Sequence, residues 1–199
     1  MTAAEAAAIV GLGAAAADGD GDRLLTALDQ AVEIVPADHI EEYLLQTYLF
    51  AGFPRTINAF FTLRAWAARR SASRAALPVE PDAPHEWRAR GERLCRLVYA
   101  ENYEALQRRL ERLHPALPEW TLVEGYGKVL SRPGPDPARR ELAAVGALIA
   151  MGAERQLAAH LRGAINAGVA PGLLGGAVRS VAAMRGDGLL VDKLLESLR

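Results

Sequence analysis

The sequence predicts an all-α protein, a bundle of helices arranged as two related halves. Three observations carry this. Ala, Leu and Arg dominate the 199 residues while β-branched runs are scarce, which favours helix over strand. Apolar residues recur at helical spacing where the pattern is clearest: Leu157, His160, Leu161 and Ala164 share one face, and Val145 and Leu148 share a face with Glu141. The chain also matches itself at an offset of 133 residues, with Leu24 on Leu157, Leu28 on Leu161, Ala31 on Ala164, Val32 on Ile165 and Ile40 on Leu173.

Each element follows from local signals. Residues 3–17 are Ala-rich and read as a helix, broken by Asp18-Gly19-Asp20-Gly21-Asp22. Asp22 is the candidate N-cap of a helix over 23–34, and Pro36-Ala37-Asp38 opens another over 39–51. Gly52-Phe53-Pro54 interrupts that helix, and a further one covers 55–71. Residues 71–85 carry Ser, Asp and three prolines and read as a linker. Helices resume at 86–98 and 103–112. A helix or turn at 120–130 ends at Ser131-Arg132-Pro133-Gly134, and helices over 137–151, 154–167, 171–183 and 187–198 complete the chain. The implied organisation is a partial, diverged helical half over 1–75, a linker over 76–86 and a complete domain over 87–199. Placing Glu5 on Glu141 requires an offset of 136, hence an insertion near the Asp-Gly run. At 133, Ala27 stands where the second copy has His160.

Composition narrows the function. With a net charge of -1 there is no electrostatic reason to expect nucleic acid or an anionic membrane as partner. A single cysteine, Cys95, rules out an intrachain disulfide, a CxxC pair and a thiolate metal cage, and fits a reducing cytoplasm. No apolar run reaches the ~18 residues of a membrane span, and no basic n-region marks a signal peptide.

The chemistry concentrates in 140–164. Burying an ionisable group unpaired costs several kcal/mol, yet Glu141 and His160 both fall on apolar helix faces. The turn at 151–153 is short, so the two helices are antiparallel neighbours. At about 1.5 Å rise per residue, Glu141 and His160 differ by roughly 6 Å in height above the turn, a gap that a Glu side chain or one water can close. An imidazole is the natural proton shuttle at neutral pH, and Gln156, one turn before His160, can hold its ring. The alternative is a core histidine satisfied by a carboxylate. Gly52-Phe53-Pro54 can line a pocket with free backbone and an aromatic wall, with Gln46 and Tyr48 as polar lining, or can be a plain helix turn. Arg132 can clamp a substrate carboxylate, or can be a solvated surface arginine.

Three patterns are set aside. Gly11-Leu12-Gly13-Ala14-Ala15-Ala16 spells a dinucleotide fingerprint but follows no strand. Asp18, Asp20 and Asp22 begin like a calcium loop, but Arg23 stands at the required glycine. The four histidines lack zinc-ligand spacing, and Cys95 reads as an inert thiol. No metal or cofactor is expected.

Tyr126-Gly127, Arg132-Pro133-Gly134, Arg140-Glu141-Leu142, the run Gln156–Ala164 and Asn166-Ala167-Gly168 together resemble the carboxymuconolactone decarboxylase-like family, which includes the alkyl hydroperoxidase D-like proteins. The resemblance covers about Trp87 to the C-terminus, and residues 24–66 resemble the family's later segment. It implies an all-α bundle of the alkyl hydroperoxidase D-like type and self-association into trimers or hexamers. The hydroperoxidase branch uses a Glu, a CxxC pair and a His as a proton relay. Glu141 and His160 fall at its Glu and His, but Ala153 and Gln156 stand where both cysteines would be, so thiol chemistry should not carry over. The decarboxylase branch implies loss of CO₂ from a carboxylated lactone through an enol-like species that is then reprotonated. Acid–base work by His160, assisted by Glu141, suits that reaction without a cofactor. Arg185-Gly186-Asp187 replaces the family's Tyr-Gly-x-Pro-like stretch. A composite pocket is expected, with His160, Glu141 and Gln156 from the second half and Tyr48, Phe53 and Gln46 from the first. A peroxidase or reductase, or a non-catalytic helical oligomer, is the alternative.

Overall fold

The computed structural model describes residues 1–73, 75–79, 81, 83–185 and 188–196; Gly186 and Asp187 of the Arg185-Gly186-Asp187 departure lie outside them. All regular structure among the described residues is helical. Helix α1 (Ala3–Asp18) starts where the Thr2 hydroxyl accepts from the Glu5 amide at 3.1 Å, and it ends at Gly19 in the left-handed region. Helix α2 (Gly21–Ala31) is capped by Asp20, whose carboxylate accepts from the amides of Asp22 and Arg23. The cap therefore lies two residues before the expected Asp22. The left-handed turn at Gly19 leaves Asp20 extended, the backbone state a cap needs, while Asp22 is already helical.

Helix α3 (Ala37–Gln46) ends earlier than its pattern suggests, and α4 (Tyr48–Arg69) takes over one residue later. The expected break falls inside α4, where Gly52 adopts φ 78° and ψ 169° and bends the helix ahead of Pro54. Helices α5 (Pro84–Tyr99), α6 (Tyr103–Leu113) and α7 (Leu117–Trp120) follow, and α7 runs into a π-helical segment, Thr121–Leu130. Helix α8 (Pro137–Met151) has Asp136 as N-cap, proline at its first position and Gly152 as its left-handed stop. Then come α9 (Glu154–Asn166), α10 (Pro171–Arg185) and α11 (Gly188–Glu196). Among the described residues no helix is long and apolar enough to cross a membrane.

Both ends of the chain build one core. Ile9, Leu12, Leu28 and Leu44 from the first half, and Leu142, Leu157, Leu161 and Leu174 from the second, are fully buried in it. A smaller cluster around Cys95, Val98, Leu106, Leu122 and Tyr126 joins α5 and α6 to the π-helical segment.

The two halves meet where α1 crosses α8. A Cβ on Gly13 would lie 2.1 Å from the Ala143 carbonyl oxygen, and one on Gly146 would lie 2.0 Å from that of Val10. The contact is reciprocal, as at a two-fold axis, because 133 residues separate Val10 from Ala143 and Gly13 from Gly146. The helix-ending glycines Gly19 and Gly152 keep the same spacing. This corrects the expected insertion and offset of 136: the register of 133 holds through α1, so Ala8, not Glu5, corresponds to Glu141.

Gly13→Val or Gly146→Val should lower stability by about 2–3 kcal/mol in urea titrations, because backbone must part to admit the side chain. Gly11→Ala, on the same helix with nothing within 4 Å of its new methyl group, should raise stability by about 0.5–1 kcal/mol.

Candidate functional site

Glu141 lies in α8 and His160 in α9, joined by the tight Gly152 turn. The carboxylate and the ring meet directly, with His160 Nδ1 at 2.8 Å from Glu141 Oε2. A carboxylate only accepts, so the neutral ring donates from Nδ1 and leaves Nε2 for other work. Glu141 is 2% exposed and His160 8%. One turn after His160, Gly163 keeps the space open: a Cβ there would fall 2.7 Å from Glu141 Oε2 and 2.6 Å from Val98 Cγ1. Phe50 of α4 meets the His160 ring edge to face, centroids 5.6 Å apart.

The imidazole borders a cavity of about 480 Å³. Arg155, Gln156 and His160 come from α9, and Leu49 and Phe50 from the start of α4. Tyr99 and Arg109 come from α5 and α6, and Trp120, Glu124 and Tyr126 from α7 and the π-helical segment. A π-helical stretch at a cavity wall is a recurring feature of functional sites. Here it brings Glu124 and Tyr126 to one hollow while Gly91 and Gly127 let α5 approach closely, since a Cβ on either would lie about 2 Å from a facing carbonyl.

The remaining sequence-predicted residues divide. Tyr48 donates its hydroxyl to Glu124 on the cavity wall, and its ring stacks on Phe53 at 4.9 Å; burial, and then this bond to the carboxylate, raise its pKa. Neither Tyr48 nor Phe53 lines the cavity itself, as the composite-pocket expectation had them, and Phe53 is 64% exposed. Gln46 and Arg132 do not line the cavity. Gln46 donates to the Arg140 carbonyl at 2.9 Å and accepts from the Arg140 guanidinium at 3.3 Å. Arg132 pairs with Glu42 at 2.9 Å, and Glu42 also holds Arg140 at 3.0 Å. Arg140 further donates to the carbonyls of Arg132, Pro133 and Pro135. Burial lowers the pKa of this guanidinium, and its bonds to Glu42 oppose that. The cluster fixes the first turn of α8, and with it Glu141.

Sequence reasoning did not select Phe50, Tyr99, Arg109, Glu124, Tyr126 or Arg155. Tyr126 and Phe50 sit inside motifs already noted, at the Tyr-Gly pair and the run before Pro54. Tyr99 and Arg109 carry no local signal, because only tertiary packing brings α5 and α6 over α9. Cys95 is fully buried, its thiol pushed up to about 12 by burial and further by the charge of Glu141. Burial likewise pushes Tyr99 up to about 12 and Tyr126 well above the ordinary tyrosine range, with Glu141 adding to both. Among the described residues no group of three or more His, Cys, Asp or Glu is placed to hold a metal ion.

Among known families, the model of the carboxymuconolactone decarboxylase family matches residues 118–195. Curated proteins give no match. The family segment runs from α7 into α11 and contains Glu124, Tyr126, Glu141, Gln156 and His160. Phe50 and Tyr99 lie outside it.

Cys95 and Tyr99 ionise more readily in the unfolded chain, ordinarily near 9.0 and 10.0, than in the fold, near 12. Unfolding therefore releases protons in that window, so stability is full below about pH 9 and falls as pH rises toward 12. A thermal-melting series should show that decline, and Cys95→Ala should remove its earliest part. Iodoacetamide at pH 8 should leave the native thiol unmodified and alkylate it fully after denaturation.

Proposed function

From the match of residues 118–195 to the carboxymuconolactone decarboxylase family model and the cavity beside His160, we propose that the protein is a cofactor-independent decarboxylase, or a related lactone-acting enzyme, working on a small carboxylated substrate. The observation that carries this reading is the buried His160–Glu141 pair, whose imidazole borders a hollow of about 480 Å³. A purely structural pair would need no such space beside it.

In the proposed reaction the substrate sits with its carboxylate near the guanidiniums of Arg109 and Arg155. The apolar wall of Leu49, Phe50, Leu106 and Leu110 favours a transition state in which charge disperses. The bond to the carboxylate carbon breaks, CO₂ leaves, and its electron pair passes into the conjugated enolate of the lactone. His160, protonated, delivers a proton from Nε2 to carbon and is recharged from solvent. Glu141 orients the ring through Nδ1 and stabilises the imidazolium. Gln156 positions the substrate at the same wall.

A thiol peroxidase reading has little support. The sole cysteine is sealed in the small cluster, and Ala153 and Gln156 occupy the positions a CxxC pair would take. Self-association belongs to the proposal and draws support from Phe53, Ile57 and Phe61, exposed at successive i, i+4 positions along α4. Light scattering returning only 21.3 kDa would remove that part.

The enzymatic reading is tested by CO₂ release from a panel of carboxylated γ-lactones. His160→Ala should reduce kcat about 10²–10⁴-fold with the helical spectrum unchanged. Glu141→Gln, which keeps an acceptor for Nδ1 but removes the charge, should lose less. Turnover that survives His160→Ala would overturn the assignment.

A further inference from the structure

A second hollow of about 430 Å³ lies between α6 and α9 and shares Tyr99, Leu106, Arg109, Arg155 and Ala159 with the His160 cavity. Four arginines converge on it, Arg109 and Arg112 from α6 and Arg155 and Arg162 from α9, and no carboxylate lines it. The spacings put each pair on one helix face, three and seven residues apart. Many other arginines are matched: Arg64 with Glu41, Arg70 with Asp29, Arg88 with Glu119, Arg96 with Glu92, Arg139 with Glu5 and Arg179 with Asp192. The four groove arginines make no hydrogen bond or ion pair among the described residues. Asn102 and Asn166 also border the groove. The first donates to Glu101 at 3.3 Å and the second to the Val98 carbonyl at 2.8 Å.

A nearly neutral chain that gathers four unmatched guanidiniums on one concavity creates a local positive field, which an anion of two or more charges would neutralise. We propose that this groove is an anion subsite, holding a phosphate or polycarboxylate portion of the same ligand whose reacting end sits at His160. The inference rests on the acid–base reading of His160 and narrows it. The substrate is then an extended molecule with a multiply charged tail, and Arg109 and Arg155 stand at the junction of the two spaces. The groove's own walls, Arg112 and Arg162, touch the tail alone.

Calorimetric titration of the full-length protein with inorganic pyrophosphate and with citrate tests this. At least one of the two should bind saturably, one per chain, and the tighter binder identifies the phosphate or polycarboxylate source. The double variant Arg112→Ala/Arg162→Ala should weaken that binding by at least about 10-fold, as expected for lost charge-assisted hydrogen bonds. The double variant Arg69→Ala/Arg93→Ala, which removes the same charge from other surfaces, should not. Absence of saturable binding, or equal weakening in both double variants, would overturn the subsite. The two levels separate cleanly. Anion binding by a protein that turns over no carboxylated lactone keeps the groove and removes the decarboxylase reading, whereas lactone turnover with no anion binding removes the groove alone.

Discussion

Two helices cross here with no side chain between them at the point of contact, and that approach organises the rest. Gly13 of α1 lies against Ala143, and Gly146 of α8 lies against Val10. Because each helix offers a glycine to the other's backbone, the halves relate as the two sides of an isologous interface, although they belong to one chain. The pair buries Ile9, Leu12, Leu142 and Val145 completely. Helix α8 thus becomes a rigid base, and Arg140 and Glu141 project from a part of it that cannot shift. Arg140 is tied to Glu42, Gln46 and three carbonyls. Its neighbour Glu141 makes a direct bond with His160.

The register of 133 makes the asymmetry of the halves explicit. Glu141 and His160 correspond to Ala8 and Ala27, both buried. A smaller hollow of about 170 Å³ exists beside Ala27, lined also by Arg23 and Thr26, the counterparts of Gln156 and Ala159. This hollow has alanine where the other has His160. The His160 cavity differs in one further respect. Helices α5 to α7 and the π-helical segment, which lie between α4 and α8 in the chain, wall it with Tyr99, Leu106 and Tyr126. The first half still contributes, since Leu49 and Phe50 reach across to His160.

Much of this was legible in the sequence, and the limits have physical causes. Helix content, the Gly52 bend, the α8–α9 hairpin and the Glu141–His160 pairing follow from periodicity, turn chemistry and the cost of burying an unpaired charge. The cap at Asp20 was displaced because two aspartates compete for one role and only backbone conformation selects between them. Gln46 and Arg132 were polar residues near special backbone. Whether such a residue faces a cavity or a buried ion pair depends on Glu42, 90 residues from Arg132, and no local pattern encodes that. Tyr99 and the arginines of α6 were invisible for the same reason: an amphipathic helix announces its buried face but not what it covers.

The buried pair also constrains how the site can have arisen. Removing two ionisable groups from water costs several kcal/mol, and a pair of apolar side chains of similar volume would commonly be as stable or more so. The first half carries buried alanine at both corresponding positions. Glu141 is nonetheless accommodated by a glycine at 163, where alanine would strike its carboxylate. It also raises the ionisation threshold of Cys95, Tyr99 and Tyr126 around it. The space beside the corresponding Ala27 is smaller, about 170 Å³ against about 480 Å³. The charge, the slot and the hollow lie together at the proposed proton-transfer site, and the arginine groove proposed as an anion subsite adjoins it.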